Sequence, residues 1–146
     1  MKAHTMAYTI QAEIEPLLPA AELVQALDDD NDGLIDDGLW DSIAAAAAAA
    51  VDGKLGQRYA TPFAEPLPAV VKEASKTFVM EMLFARRGVD AEKNPWTKRA
   101  TEMRATLTYI ATGDQPLAPE QTRPRPSVNV ISEPSRTTDA RGRLFC

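Results

Sequence analysis

Residues Asp28–Asp37 read DDDNDGLIDD, and they are followed by the alanine-rich segment 43–51, IAAAAAAAV, and the proline-rich segment 56–68, GQRYATPFAEPLP. Acidic residues around a glycine are typical of a turn, whereas alanine has the highest helix propensity of any residue. Proline fixes its own φ and moves the preceding residue out of the helical region, so the third segment predicts an extended connection. This order predicts an acidic turn, then a long helix, then an extended connection made rigid by its prolines.

Two short helices are predicted before the acidic turn. Thr9 can cap a helix over Ile10–Glu15, which Pro16 ends. Pro19 can begin a second helix over Ala20–Leu27, because proline is tolerated in the first turn of a helix.

The long helix after the turn has an apolar stripe. Asp36 or Asp37 is predicted to supply its N-cap oxygen, which accepts from a free N–H at the helix start. Its apolar residues recur every three or four positions and are Trp40, Ile43, Ala47, Val51 and Leu55. The alanines have two interpretations: helix propensity alone, or small side chains that let a neighbouring helix approach closely, as at a subunit interface.

Arg58 and Tyr59 follow this helix directly. The Tyr59 ring is predicted to be buried under the proline-rich segment, while the Arg58 guanidinium pairs with Asp52 or Glu65. A binding role for Arg58 is the alternative.

Two further helices are predicted after the proline-rich segment. The first begins near Pro68, ends at Gly88 and is the candidate for the central helix. Its apolar face comprises Val71, Ala74, Phe78, Met82 and Ala85, flanked by Val79, Leu83 and Phe84. The second begins with Asn94 as N-cap and Pro95 as first helical residue, and Gly113 ends it. Its seam comprises Trp96, Ala100, Met103, Leu107 and Ile110.

The sequence therefore predicts an all-α fold, a small helical bundle of about three long helices plus short N-terminal helices. We predict a leader over residues 1–8, a helical domain over residues 9–113 and an extended C-terminal arm over residues 114–146. The arm is rich in proline and has no helical period, and only the SVNVIS stretch at 127–132 alternates like a strand. Met6 is an alternative start to Met1.

Length and composition limit the class of protein. A chain of 146 residues with 45% hydrophobic residues suffices for one packed core. The apolar segment 43–51 is too short to cross a bilayer, and the early glutamates and prolines do not fit a signal peptide. The one cysteine, Cys146, excludes an internal disulfide. We expect synthesis in the reducing host cytoplasm and no membrane association.

The net charge of −5 is unevenly distributed. Residues 122–146 contribute +3, which leaves −8 for the rest of the chain. Binding to DNA without regard to sequence depends on basic side chains that displace counterions from phosphates. An acidic body therefore argues against it.

The acidic turn partly matches an EF-hand calcium loop. The candidate metal ligands are Asp28, Asp30, Asp32 and Asp36, at loop positions 1, 3, 5 and 9. Position 12, which should supply a bidentate glutamate, is Leu39. The alternatives are weak calcium or magnesium binding, and a solvated turn whose carboxylates favour the start of the next helix.

Catalysis is not expected. The sole histidine, His4, lies in the predicted leader, which excludes histidine-based triads, general bases and zinc sites in the body. The helical glutamates Glu73, Glu81, Glu92 and Glu102 lie among lysines and arginines, as on a salt-bridged solvent face. No glycine-rich phosphate loop is present, so we expect neither an enzyme nor a cofactor, apart from weak calcium.

The arm carries the candidate partner-binding residues. Its basic residues from 122 onward are all arginine, which is favoured at interfaces because its planar fork bonds two acceptors. The candidates are Arg123, Arg125, Val128, Val130, Ile131, Arg136, Arg141, Arg143 and Phe145. The SVNVIS stretch could add to the sheet edge of a partner, and a disordered tail is the alternative.

The order of these features resembles the Mu-like phage head-tail connector (adaptor, or neck) family. That family has a short helical lead, a D-G-x-I-D turn, a helix ending in D-G-x-L-x-x-R-Y, and a P-x-x-P-x-P loop. The matching residues are Asp32, Gly33, Ile35, Asp36, Asp52, Gly53, Leu55, Arg58, Tyr59, Pro62, Pro66 and Pro68. The resemblance extends over residues 6–113.

This resemblance implies an assembly protein of the virion neck. It implies a closed homo-oligomeric ring, of twelve subunits, that docks on the portal protein and joins the DNA-filled head to the next neck or tail component. The arm would bind the portal, and genomic DNA would pass through without specific binding. Two other classes are a calcium-binding interaction module of dockerin or EF-hand-like type, and a nucleic-acid-binding regulator that uses the arginine arm.

Overall fold

Five α-helices lie within residues 7–117, the range that the structure, a computed structural model, describes. They are α1 Gln11–Ile14, α2 Ala20–Leu27, α3 Leu39–Leu55, α4 Ala69–Arg86 and α5 Thr97–Thr112. This range contains no strand. Three long helices and two short N-terminal ones confirm the predicted all-α bundle. The predicted strand-like stretch at 127–132 lies outside the described residues.

Helix α4 is the central helix, as predicted, because it contacts α1, α2, α3 and α5. The predicted face is buried at Val71, Ala74 and Phe78. Two residues predicted on this face are not buried in the core, because Met82 is only partly buried and Ala85 is exposed. Thr77 and Met80, which were not predicted on it, are buried. A helix packed on four neighbours is buried on more than one face, so a single stripe does not describe it.

The predicted stripes of α3 and α5 face the core. In α3, Ala47, Val51 and Leu55 are fully buried, Ile43 is nearly so and Trp40 packs at the margin. In α5 the buried residues are Ala100, Leu107 and Ile110, and Trp96 and Met103 pack against them. Each stripe is one face of a helix that meets two others, because α3, α4 and α5 contact one another.

Some alanines of α3 are buried in the core and others are exposed on the surface. Ala44, Ala47 and Ala48 are fully buried, so they allow close approach within the same chain. Ala46 and the pair 49–50 are exposed. The buried alanines therefore allow the close helix approach that the sequence predicted, but between helices of one chain.

Two predicted helix caps are wrong. The N-cap of α1 is Ile10 rather than Thr9, and the Glu13 carboxylate accepts from the Ile10 N–H at 3.1 Å. The N-cap of α3 is Gly38, with φ 82°, rather than Asp36 or Asp37. Asp36 is unavailable because its carboxylate turns back to accept from the Asp29 N–H at 2.7 Å.

Helix α5 begins two residues later than predicted, at Thr97. Asn94 nevertheless caps the turn that leads into it, because its side chain accepts from the Trp96 N–H at 3.0 Å. The same side chain donates to the Glu81 carbonyl at 3.1 Å and so fixes the start of α5 against α4.

Two residues at the predicted domain boundaries lie in the core. Tyr8, assigned to the leader, is 3% exposed, and Leu117, assigned to the arm, is 2% exposed. Neither belongs to a periodic stripe, so the sequence pattern gives no sign of its burial. The helical body therefore includes residues 8 and 117.

The end of α5 provides a test of local packing. Gly113 has φ 92°, as predicted for a helix-ending glycine, and a β-carbon there would overlap the Arg58 guanidinium. Gly88 has φ 77° after α4, but a β-carbon there meets nothing. We expect Gly88→Ala and Gly113→Ala each to lower the stability by about 1–2 kcal/mol for the left-handed backbone, because the Arg58 guanidinium is the end of a flexible side chain and can move away from a new β-carbon. Thermal unfolding followed by circular dichroism compares the two, and a larger loss at Gly113 would show that Arg58 is held in place.

Candidate functional site

The acidic turn connects α2 to α3 and folds back on itself. The Asp36 N–H donates to the Leu27 carbonyl at 2.8 Å, which brings the end of the turn beside its beginning. Asn31 and Gly33 have φ values of 64° and 85°, so the chain reverses within the turn. Glycine and asparagine are the residues that adopt this backbone most readily.

Carboxylates inside the turn accept backbone N–H groups. Asp28 accepts from Asp32 at 3.1 Å and from Gly33 at 2.8 Å. Asp30 also accepts from the Asp32 N–H, at 3.2 Å, and the Asp32 carboxylate accepts from Leu34 at 2.8 Å. Hydrogen bonds of this kind, from backbone N–H groups to nearby aspartate carboxylates, help to order the loop.

Three of the four predicted metal ligands converge. Oxygens of Asp28, Asp30 and Asp36 lie within 4.8 Å of one another. Asp32 does not belong to this group, and its carboxylate accepts from the Leu34 N–H. Leu39, at the twelfth loop position, begins α3 and packs on the core.

The pKa values of two carboxylates in this cluster are shifted in opposite directions. Burial raises the pKa of Asp28, but N–H groups led by that of Gly33 outweigh it, so this pKa lies below its usual range. The Asp32 N–H lowers the pKa of Asp30, yet burial and the charges of Asp36 and Asp28 outweigh it and hold this pKa above its usual range. The carboxylates repel one another, and a cation between them would reduce that repulsion.

We expect calcium to bind this turn weakly or not at all. Three carboxylates converge, but the bidentate twelfth ligand is missing and Asp28 already accepts two N–H groups. Isothermal calorimetry should therefore show no site of about micromolar affinity or better. The exposed Asp37, outside the cluster, gives the control. Micromolar binding that Asp30→Ala abolishes and Asp37→Ala preserves would contradict the expectation.

Three of the four glutamates predicted on helices lie in ion pairs, as expected of a solvent face, whereas Glu92 lies in the turn between α4 and α5. Glu73 pairs with Arg99 and, at 3.0 Å, with Lys76, while Glu81 pairs with Arg104. Burial raises the pKa of Glu73, but the two cations outweigh it and leave this pKa below its usual range. Glu102 is 4.0 Å from Lys98, and Glu92 is exposed.

Sequence reasoning missed a polar contact between distant segments. The Tyr8 hydroxyl donates to the Asp52 carboxylate at 2.6 Å and accepts from the Phe63 N–H at 2.9 Å. Burial raises the pKa of Tyr8, and it also raises that of Asp52 although the hydrogen bond opposes it. The contact joins the start of the body, the end of α3 and the proline-rich segment, so its role is structural.

The ion pair predicted for Arg58 is wrong, whereas the burial predicted for the Tyr59 ring is confirmed. Tyr59 is buried, with the Arg58 guanidinium 6.0 Å from its ring centroid. Within residues 7–117 Arg58 forms no ion pair with Asp52 or Glu65. Asp52 instead accepts from Tyr8, and the guanidinium lies against Gly113.

All the predicted partner-binding residues lie outside the described range. They are Arg123, Arg125, Val128, Val130, Ile131, Arg136, Arg141, Arg143 and Phe145. Among the described residues, no helix is both long enough and apolar enough to span a bilayer.

Comparison with protein families gives a match to most of the chain. A family model described as "Bacteriophage Mu, Gp36" matches residues 8–131, which is most of the chain. The match begins at the buried Tyr8, covers every described helix and extends into the arm. Curated proteins provide no match.

Proposed function

The chain belongs to the bacteriophage Mu Gp36 family, and from this membership we propose that it is a head-tail connector (adaptor) protein. The membership supports a structural protein of the phage virion. The finer assignment is that the protein sits in the neck, docks on the portal and joins the DNA-filled head to the next neck or tail component.

The observation that carries this proposal is the family match over residues 8–131. It includes every residue that resembles the connector pattern, from the acidic turn through Arg58 and Tyr59 to the proline-rich segment. The described body supports the proposal chemically. Residues 7–117 contain 18 acidic and 10 basic side chains, a net charge of −8, so DNA can pass the body without being held.

The proposed assembly is a closed ring of identical subunits, twelve in number. In such a ring every contact is heterologous, which means that one face of a subunit meets a different face of its neighbour. The arm, beginning after the buried Leu117, is the element that binds the portal. Its arginines match carboxylates or backbone carbonyls on a partner.

Two measurements test the connector role. A phage lacking this protein should produce DNA-filled heads and separate, complete tails, and supplying the protein should restore joined particles. Native mass spectrometry of purified protein with portal should give a complex whose added mass is a whole ring of subunits. Joined particles without the protein, or no portal complex at any concentration, would refute the assignment.

A calcium-binding interaction module is the second candidate. The convergence of Asp28, Asp30 and Asp36 favours it, and Leu39 at the twelfth loop position disfavours it. The calorimetry described above decides between a turn ordered by its own N–H groups and one that needs a cation.

A further inference from the structure

Four of the five arginines in residues 7–117 pair with a carboxylate of the same chain. The pairs are Arg86–Asp29, Arg87–Glu22, Arg99–Glu73 and Arg104–Glu81. Arg58 is the exception, because its exposed side chain forms no ion pair and donates no hydrogen bond to any described residue. Its guanidinium donors are therefore left for solvent or for a group outside this part of the chain.

The paired arginines show which group Arg58 lacks. Three of them also lie over an aromatic ring, with guanidinium-to-centroid distances of 5.2 Å for Arg87–Phe84, 5.4 Å for Arg99–Trp96 and 5.0 Å for Arg104–Phe78. Arg58 lies 6.0 Å from the centroid of the Tyr59 ring. An arginine between an aromatic ring and a carboxylate combines stacking with charge-assisted hydrogen bonds. Arg58 has the ring of this arrangement without the carboxylate, so a carboxylate is the group that completes it.

An exposed aromatic side chain borders Arg58. Tyr109 is 56% exposed, and its hydroxyl has no hydrogen-bond partner among the described residues. It precedes Gly113 by four residues, and residues four apart share a face of a helix. The Arg58 guanidinium lies against Gly113, so Arg58 and Tyr109 form one surface, which we call the arginine surface. Arginine and tyrosine are enriched among the residues that carry most of the energy of a protein interface.

The N-terminal part of the chain carries a surface of complementary chemistry. Residues 10, 13 and 17 recur at three and four positions, so the turn around α1 brings them to one face. Ile10 and Leu17 are 60% and 43% exposed, and the exposed Glu13 lies between them. One Glu13 oxygen accepts from the Ile10 N–H at 3.1 Å, which places the carboxylate. We call Ile10, Glu13 and Leu17 the lead surface.

No described cation competes for the lead surface. Glu13 forms no ion pair within residues 7–117, and the chain has no lysine or arginine between residues 7 and 53. Helix α1 packs on α4, and within one subunit Arg58 and Glu13 do not pair. A cation beside an aromatic ring on one surface, and a carboxylate between aliphatic side chains on another, is what a heterologous contact between identical subunits uses.

We infer that the arginine surface of one subunit binds the lead surface of a second copy of the chain. The Arg58 guanidinium donates to the Glu13 oxygen that does not accept from Ile10. The Tyr109 ring packs between Ile10 and Leu17. The inference rests on the proposed function, because it names a contact between identical subunits of the proposed ring. It requires only copies of the chain, so it is measured without portal, heads or tails.

A reciprocal charge exchange tests the inference. One variant is Arg58→Glu and the other is Glu13→Lys. The matched controls, Lys93→Glu and Glu92→Lys, make the same changes of charge at exposed residues of the turn between α4 and α5, where neither residue forms an ion pair with a described one. Sedimentation velocity of the full-length chain over a concentration series measures self-association, and circular dichroism checks that each variant is folded.

We expect wild type to self-associate, more weakly as salt rises, and each reversed variant alone to lose at least about ten-fold in association. The controls should behave as wild type. An equal mixture of the two reversed variants should associate again, because each reversed surface then meets a surface of opposite charge. That recovery is specific to contact between different copies.

Two milder variants separate the contact from folding. Glu13→Gln keeps an oxygen for the Ile10 N–H and removes only the charge. Tyr109→Ser shortens a side chain that is largely in solvent. Both should unfold at nearly the temperature of wild type and should still associate more weakly than wild type.

Three results would overturn the inference. Wild type that stays monomeric at every concentration shows that the arginine surface does not bind a second copy. Unchanged association of either reversed variant, or of both milder ones, shows that these residues do not carry the contact. Recovery in a chain with both reversals but not in the mixture shows that the two surfaces meet within one chain.

The inference and the proposed function can fail separately. A chain that associates through these surfaces but never joins heads to tails would refute the proposed function and leave this contact standing. Joining of heads to tails that needs the protein but proceeds normally with Arg58→Glu would refute this contact and leave the proposed function standing.

Discussion

Deletion of residues 118–146 is expected to give DNA-filled heads without tails, while the remaining helical body stays folded. Every described helix and the buried Leu117 are retained, so the deletion removes nothing from the core that the structure describes. The arm is proposed to dock on the portal, so that contact is lost. Electron microscopy of lysates from phage carrying the truncated gene counts joined and unjoined particles.

A second truncation, after Gly113, serves as the comparison. It also removes Leu117, which is 2% exposed, and burial of a leucine side chain contributes about 1.5–3 kcal/mol. The shorter chain should therefore unfold at a lower temperature than the chain ending at 117. The sequence pattern places Leu117 in the arm, whereas its burial makes it part of the packed body.

Protease protection gives an independent measure of docking. If residues 118–146 contact the portal or a neighbouring subunit, cleavage in this region should be slower in assembled particles than in the free subunit. Mass spectrometry of the fragments locates the cuts. Normal tail joining by the chain ending at 117, or equal cleavage in both states, would transfer the docking role to the helices.

Truncation of Leu107 is expected to be the most destabilising single substitution among those considered. Its side chain is fully buried on α5, between the partly buried Met103 and the buried Ile110. Helix α5 contacts both α3 and α4, so the shortened side chain leaves a cavity where three helices meet. We expect Leu107→Ala to lower the free energy of unfolding by about 2–5 kcal/mol.

Urea unfolding of the isolated subunit measures this loss directly. The control is Lys98→Ala on the same helix, whose side chain is 89% exposed and should change stability by less than about 0.5 kcal/mol. If both variants unfold at the same urea concentration, this face of α5 is not part of a core in solution. A decrease for Leu107→Ala alone would establish the seam.

The periodic features of the fold could be predicted from the sequence. Recurrence of apolar residues at three or four positions located α3 and α5 and the faces that they bury, because a helix brings such residues to one side whatever it packs against. Glycines at 88 and 113 marked the helix ends, since each takes a left-handed backbone that other residues avoid. The missing twelfth ligand at Leu39 was likewise visible in the sequence.

Features that depend on single residues were decided by the tertiary structure. Tyr8 and Leu117 have no periodic neighbours, and they are buried only because distant helices provide the surfaces that cover them. Asp36 could have capped α3, but the return of the chain to Leu27 turns its carboxylate toward Asp29. Arg58 could have paired with Asp52, but Tyr8 occupies that carboxylate.

In the acidic turn, too, some features could be predicted from the sequence and others depend on the tertiary structure. Alternating aspartates in the sequence predicted that carboxylates would converge, because their spacing matches a known loop. Only the folded turn shows that Asp36 joins Asp28 and Asp30 while Asp32 is used to cap Leu34. Sequence determines which groups and which periodic faces are available, since these follow from local geometry. The tertiary structure decides their partners, because it determines which neighbours come within hydrogen-bonding reach of each group.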